Sequence, residues 1–463
     1  MEVLTIETPE LGDRSYIAHD GRSAIVIDPQ RDIDRVMAAS GSLAITHVAE
    51  THIHNDYVSG GLELAARTGA VYLVSGADSP AFERTPVYDG DTFEVGTLTV
   101  RAIATPGHTH HHLSYLVSQD GQPKALFTGG SLLYGTVGRT DLAGKESAEE
   151  LTRKQYRSVR KLAALIPDEV EIWPTHGFGS FCSSARSSGA MHGSMGDERR
   201  SNLALRIQSE DDFVSQLLSG LTAYPRYYAH MSALNLGGPP PVDLRPPETI
   251  DGARLRELLA GGGWVVDLSS RRAYARGHIP GTVSVELGKS FATYLGWVLP
   301  WGTPLTLLGD SPEEVAEARR QLVRIGIDQL AGAAIGKREE LAGGEPLASY
   351  EVADFAALSD AKAKGENPFV LDVRRDDERA EGWIDGSVHI PLPDLVARVD
   401  ELPDDRLWVH CASGFRASIA ASLLARNGKT PVLIDDIWAD AAKAGVTVTT
   451  SRQQPELVAT GES

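Results

Sequence analysis

The chain has 463 residues, 42% hydrophobic and 23% charged, with a net charge of −19. That length and balance describe a globular protein of about three domains. The acidity argues against a nucleic-acid partner and against an anionic membrane surface, and no apolar run approaches the roughly 20 residues that span a bilayer. Two cysteines make no disulfide framework. The start, Met1-Glu2-Val3-Leu4, lacks the basic-then-apolar order of a signal peptide, so the expected setting is the cytoplasm.

In chain order, Ser15-Tyr16-Ile17-Ala18 and Ser23-Ala24-Ile25-Val26-Ile27-Asp28-Pro29 read as short strands about a turn at Asp20-Gly21. The apolar run from Leu43 to Ala49 leads into Glu50-Thr51-His52-Ile53-His54-Asn55-Asp56-Tyr57. Alternate residues of an extended segment share a side, so a strand ending here aims His52, His54 and Asp56 into one cleft. Imidazole and carboxylate together suit zinc, iron or manganese. The plain alternative is a loop with two solvated histidines.

A helix near Gly61 to Thr68 and a strand at Val71 to Val74 come next. The strand Leu98 to Ala104 ends in Thr105-Pro106-Gly107-His108-Thr109-His110-His111-His112, and Ala125 to Thr128 ends in Gly129-Gly130. A helix with Val159, Leu162 and Ile166 on one face precedes the strand Val170 to Trp173, which runs into Pro174-Thr175-His176-Gly177. Strands that repeatedly end in glycine-rich, histidine-bearing loops bring ligands from distant sequence to one rim of a sheet. The stretch from Ser194 to Tyr228 reads as largely helical and closes a first domain, residues 1–240. Pro239-Pro240-Pro241 and Arg245-Pro246-Pro247 form a stiff linker.

Thr51-His52-Ile53-His54-Asn55-Asp56 resembles the signature of the metallo-β-lactamase superfamily. Thr105-Pro106-Gly107-His108-Thr109 resembles its second motif and Pro174-Thr175-His176-Gly177 its late histidine motif. Val137-Gly138-Arg139-Thr140-Asp141-Leu142 resembles a segment of persulfide dioxygenases and of the related glyoxalase II enzymes. The resemblance covers the first 240 residues and implies a four-layer αββα sandwich. It also implies one divalent metal, iron(II) favoured and zinc possible, near His52, His54, Asp56, His108 and His176. Two positions depart from the pattern: Gly130 stands where the family has a ligand aspartate, and Tyr57 where the binuclear hydrolases have histidine. A mononuclear dioxygenase site at His52, His108 and position 130 loses only its carboxylate, a gap left to water, His54 or Asp56. His110 and His111 read as a hydrated loop, and His112 as a support behind the ligands. Arg139 either holds a substrate carboxylate bidentately or braces its own loop. Cys182 reads as a buried small residue.

The rest of the chain repeats. Val265-Val266-Asp267-Leu268 matches Val370-Leu371-Asp372-Val373, and Gly277-His278-Ile279-Pro280-Gly281 matches Gly382-Trp383-Ile384-Asp385-Gly386, both at an offset of 105 residues. That period is one small domain. The expected copies are residues 248–345 and 348–455, each an α/β unit with a parallel sheet.

In the second copy, the buried-type strand Leu407-Trp408-Val409-His410 runs into Cys411-Ala412-Ser413-Gly414-Phe415-Arg416-Ala417-Ser418, followed by a helix from Ile419 to Arg426. Ala412, Ser413, Gly414 and Phe415 form an anion cradle of backbone N–H groups at a helix N-terminus. That cradle favours a thiolate on Cys411, with Arg416 as a fixed positive charge. A thiolate that carries a second sulfur as a persulfide is the natural chemistry. Cysteine phosphatases space cysteine and arginine by five residues, whereas four intervene here. With Asp372-Val373-Arg374, the copy resembles a rhodanese domain, a sulfurtransferase. The first copy has no cysteine, and Gly309 stands where Cys411 would be. It is expected to be structural, positioning the active copy or forming an interface in a homo-oligomer.

The expected fold is a multidomain α/β and α+β chain: a metallo-β-lactamase sandwich followed by two rhodanese-like domains. The expected function is sulfane-sulfur metabolism. The metal site would oxidise a low-molecular-weight thiol persulfide to sulfite, and Cys411 would move sulfur among thiosulfate, sulfite and thiol. The alternatives are a zinc thioester hydrolase of the glyoxalase II type, and a sulfurtransferase whose metal domain is a degenerate scaffold.

Overall fold

A computed structural model describes residues 1–184 and 189–450. The chain divides into two compact units: Met1–Leu244 together with Arg319–Asp328, and Arg245–Ala318 together with the chain from Gln329 onward. The last five residues of the expected 348–455 copy lie outside the described residues. Among the described residues, no helix is long and apolar enough to cross a membrane.

The first unit holds two sheets. One has six strands in sequence order: β1 (Glu2–Thr8), β2 (Asp13–His19), β3 (Ser23–Ile27), β4 (Ala44–Ala49), β5 (Val71–Ser75) and β6 (Thr85–Val87). The other comprises β7 (Thr92–Val95), β8 (Leu98–Ala104), β9 (Leu113–Gln119), β10 (Gln122–Gly129) and β11 (Glu171–Pro174), in the order β11-β10-β9-β8-β7.

Strand alternation sorts the side chains into three cores. Tyr16, Ala18, Ile25 and Ile27 meet Leu98, Val100, Ala125 and Phe127 between the sheets. Ile17, Ala24 and Val26 turn outward to Val36 and Leu64, on the helices Asp34–Ser40 and Gly61–Thr68. Ile103 and Leu126 turn outward to Val159, Leu162 and Phe213, on the helices Lys145–Leu165 and Glu210–Gly220. Helix, sheet, sheet, helix is the expected four-layer order.

The second unit holds two parallel sheets. The first contains β12 (Trp264–Asp267), β13 (Val283–Ser284), β14 (Leu305–Gly309) and β15 (Leu330–Ile335), in the order β13-β12-β14-β15. Then follow β16 (Glu351–Ala353), β17 (Phe369–Asp372), β18 (Trp383–Ile384), β19 (Val388–His389), β20 (Arg406–His410), β21 (Thr430–Ile434) and β22 (Val448–Thr449). Five of these form a parallel sheet in the order β16-β21-β20-β17-β19, while β18 and β22 pair separately. Both halves begin the same way. Asp251 and Asp354 cap helices by accepting from the N–H of Arg254 and Ala357. Asp267 pairs with Leu308 as Asp372 pairs with His410, so Gly309 and Cys411 occupy equivalent strand ends.

Candidate functional site

In the first unit, β4, β8, β10 and β11 end at one rim and deliver the motif loops. His52, His108 and His176 are all buried, and one ring nitrogen from each converges within 4.8 Å of the others. Each ring is oriented from behind by its Nδ1. His52 Nδ1 lies 2.9 Å from Thr51 Oγ1, which donates its own proton to Asp28. His108 Nδ1 donates to the Arg139 carbonyl at 2.7 Å. His176 Nδ1 lies 2.8 Å from Asp13 and 3.2 Å from Asp56. A proton fixed on Nδ1 leaves the Nε2 lone pair for a ligand. The Nε2 atoms of His52 and His176 stand 3.4 Å apart, and that of His108 is buried with no protein partner. Burial, reinforced by His176, drives His108 down to about 3, and burial also holds His52 well below the ordinary imidazole value. Both rings are therefore neutral donors.

His54 takes a different position. Its Nε2 lies 3.3 Å from Asp28, 3.2 Å from Glu50 and 3.0 Å from the Tyr57 hydroxyl, while Nδ1 has no partner. Although burial opposes it, Asp28 and Glu50 lift His54 to about 9. Tyr57 stacks on this ring at 4.2 Å. Asp56 faces His176 and has no hydrogen-bond donor on either oxygen. His110 and His111 are exposed, with His111 paired to Asp78 at 2.8 Å. His112 is buried behind the cluster, where Nε2 accepts from the Gly130 N–H at 3.1 Å.

Gly130 is more than a missing carboxylate. A Cβ built there would overlap the His108 ring, so the ring occupies the space a ligand side chain would need. The cluster therefore fits a divalent metal on three imidazoles with an open fourth position. It does not fit a two-histidine, one-carboxylate face built on position 130.

Of the two roles open to Arg139, its contacts support bracing of its own loop. The side chain is buried and spends its donors on Asp141 (2.7 and 2.8 Å), Phe181 O (3.1 Å) and Thr222 O (2.8 Å), which braces its loop. Cys182 is buried beside the Tyr228 hydroxyl, with Asp56 in electrostatic reach.

Sequence reasoning missed Asp28, Asp13 and Glu50. Asp28 accepts from Thr51 N–H at 2.6 Å, from Thr51 Oγ1 at 2.7 Å and from Thr175 Oγ1, tying the first and last motif loops together. The available signal was an aspartate at the end of an otherwise apolar strand.

In the second unit, Cys411 follows β20 and is buried, while Ser413 is exposed at the rim. Gly414 takes a left-handed φ of 84° and caps the helix Phe415–Arg426. A Cβ there would overlap Asp435. The helix thus opens at Phe415, not at Ile419, because Gly414 completes the turn in one residue. Its first-turn amides have no helical carbonyl behind them and face the loop. Arg416 donates to both oxygens of Glu378, at 2.5 and 2.7 Å. Beneath the loop, buried Arg374 grips Asp372 at 2.7 Å and stacks over Trp438 at 3.7 Å.

The equivalent loop of the first half is self-filled. Glu314, five residues past Gly309 as Arg416 is past Cys411, accepts from Asp310 N–H at 2.8 Å. A carboxylate therefore sits where the other copy presents a guanidinium.

Residues 12–176 match the family model described as Metallo-beta-lactamase superfamily, and residues 354–438 that described as Rhodanese-like domain. The chain carries a metallo-β-lactamase fold followed by a rhodanese-like domain. It is similar to a crystal structure of a metallo-β-lactamase from Staphylococcus aureus subsp. aureus COL, at 29% identity and a TM-score of 0.65. That match covers 73% of this chain and 99% of the other. It is 41% identical over 160 residues to the hydroxyacylglutathione hydrolase of Acidiphilium cryptum, covering 34% of this chain and 60% of that enzyme. ETHE1 from Myxococcus xanthus is 28% identical, with 51% of this chain and 98% of that one covered at a TM-score of 0.43. The chain spans about half the length of the first curated relatives it matches.

Proposed function

We propose that the chain is a sulfane-sulfur enzyme of three domains, residues 1–240, 248–345 and 348–455, the last two related as rhodanese copies. The observation that carries this reading is Cys411, seated at the end of a buried strand under the first turn of a helix, with Arg416 in electrostatic reach. The thiolate would attack the outer sulfur of a donor. The donor S–S bond breaks, a Cys411 persulfide forms, and the leaving group departs with the bonding pair. Gly414 lets the loop pass close to Asp435, and the Trp438 N–H donates to the Ala412 carbonyl at 2.9 Å. Two unpaired cysteines support a reducing, cytoplasmic setting.

In the first domain, His52, His108 and His176 would hold one divalent metal, iron(II) or zinc. Such a metal would supply Lewis acidity and, if iron, oxygen activation for oxidising a thiol persulfide to sulfite. Asp13, Thr51 and the Arg139 carbonyl keep the three rings in their ligating tautomers. Behind them, His54 pairs with both Asp28 and Glu50. Tyr57 excludes a second metal from that side.

Replacing Cys411 with alanine tests the transfer half: sulfur transfer to cyanide or thiol should vanish, and undiminished transfer would sink it. A second reading for the first domain is thioester hydrolysis. It is favoured by the all-imidazole donor set, which suits a zinc-bound water, and by likeness to a hydroxyacylglutathione hydrolase. Metal content after anaerobic purification, with oxygen uptake on a thiol persulfide and thiol release from an acyl-glutathione, separates the two.

A further inference from the structure

Glu378 sits beside the Cys411 loop, paired with Arg416. Its carboxylate is held from three directions: by both terminal nitrogens of Arg416, at 2.5 and 2.7 Å, and by the backbone N–H of Arg375 at 3.0 Å. The pair is largely buried, with side-chain exposures of 7% for Arg416 and 19% for Glu378. A bidentate guanidinium–carboxylate pair in such a place is strong and geometrically fixed. The Arg375 guanidinium beside it is itself engaged by Asp377 at 2.9 Å through two nitrogens. Two arginines therefore meet two carboxylates, and neither guanidinium of this group is left unpaired.

An aromatic pair stands beside this group. Tyr294, on the helix Phe291–Val298 of the cysteine-free copy, packs its ring 5.5 Å from that of Phe415. Its phenol lies in electrostatic reach of both Arg416 and Cys411. The first copy thus contributes a side chain to the border of the active loop. What is left to hold an incoming sulfur is the row of first-turn amides, worth roughly half an elementary charge.

We propose that the Cys411 loop selects thiol persulfides over dianionic donors such as thiosulfate, with Glu378 as the positioning residue that withholds Arg416 and the Tyr294–Phe415 wall receiving the thiol stem. This rests on the sulfur-transfer reading above. In the favoured reaction the Cys411 thiolate attacks the terminal sulfur of R–S–SH. The donor S–S bond breaks, the new S–S bond gives Cys411–S–SH, and R–S⁻ leaves with the electron pair. Sulfur is exchanged with no net oxidation. A dianion must instead approach Glu378 directly or dislodge it.

The test is the ratio of kcat/KM for glutathione persulfide to that for thiosulfate, with cyanide as acceptor, in the full chain, Glu378→Gln, Glu378→Asp and Cys411→Ala. The wild-type chain should favour the persulfide by at least about tenfold. Glu378→Gln, which frees Arg416 at nearly constant shape, should raise thiosulfate turnover about tenfold and collapse the ratio, while Glu378→Asp keeps the charge and the preference. A purely structural role would lower both donors together and leave the ratio unmoved, and that overturns the proposal. So does a wild-type preference for thiosulfate, which needs no variant to be read. Transfer from neither donor, with Cys411→Ala indistinguishable from wild type, overturns the sulfur-transfer reading itself.

Discussion

Gly130→Ala adds one methyl group and no charge, so it isolates the steric relation between position 130 and the metal cluster. Gly130 has no left-handed φ, and its backbone accepts alanine without strain. The new Cβ meets the His108 ring, with Cγ at 2.5 Å and Nε2 at 2.6 Å. The ring must turn, which breaks the 2.7 Å bond from its Nδ1 to the Arg139 carbonyl. Leaving a buried donor or acceptor unsatisfied costs about 1–3 kcal/mol, and overpacking a tight interior costs about 1–3 more. The first unit of the metal-stripped chain should lose about 2–6 kcal/mol in urea denaturation. Added zinc or iron(II) should stabilise the wild type by about 2.7 kcal/mol at a hundredfold excess over Kd. It should stabilise the variant far less, because His108 Nε2 no longer converges with His52 and His176. An alanine variant within about 0.5 kcal/mol of wild type that still gains the full metal increment would refute the reasoning.

Asp372→Asn leaves the Arg374 guanidinium buried without its charge partner and should cost the second unit about 3–5 kcal/mol, read as a lower urea midpoint; an unchanged midpoint contradicts it. Against the burial that would raise it, His410 and Arg374 hold the Asp372 carboxyl below its ordinary 3.8. Its contribution is thus complete above that value and disappears as pH falls further. Burial drives His410 down to about 4, so it is neutral when folded and takes up a proton near 6.5 when unfolded. The second unit should lose about 3 kcal/mol between pH 6.5 and 4 from this group alone. His410→Leu, the residue at the matching position Leu308, should flatten that slope in denaturation curves taken across the range; an unaltered slope would assign the acid sensitivity elsewhere.

The layers of the first unit were expected from the resemblance of its motifs; what builds them is two-residue alternation of apolar residues, with Tyr16 and Ala18 inward and Ile17 outward. The strand-end motifs were legible directly. A run such as Ala44–Ala49 that ends abruptly in histidine has left the core, and three of these runs end at one rim. Position 130 was readable only as a lost ligand. That the His108 ring takes up the vacated space depends on a ring rotation that no spacing encodes. Asp28 and Asp13 act through bonds to Thr51, Thr175 and His176, partners up to 163 residues away, so a local reading sees two ordinary carboxylates.

The two α/β halves show the same boundary between local and distant information. The shared offset of 105 residues and the loss of cysteine at Gly309 are local, and both were readable. The more telling difference lies five residues past each strand end, where one copy has Arg416 and the other Glu314. At the N-terminus of the helix Phe415–Arg426, a guanidinium repelled by the helix dipole needs a partner, and Glu378 supplies it from another helix. At the first turn of the helix Pro312–Arg324, a carboxylate is favoured by the dipole and satisfies the loop amide itself. One loop therefore keeps its amides for a ligand and the other has consumed one. The first half could not regain sulfur chemistry by a cysteine at Gly309 alone, because Glu314 would confront the thiolate across the same turn.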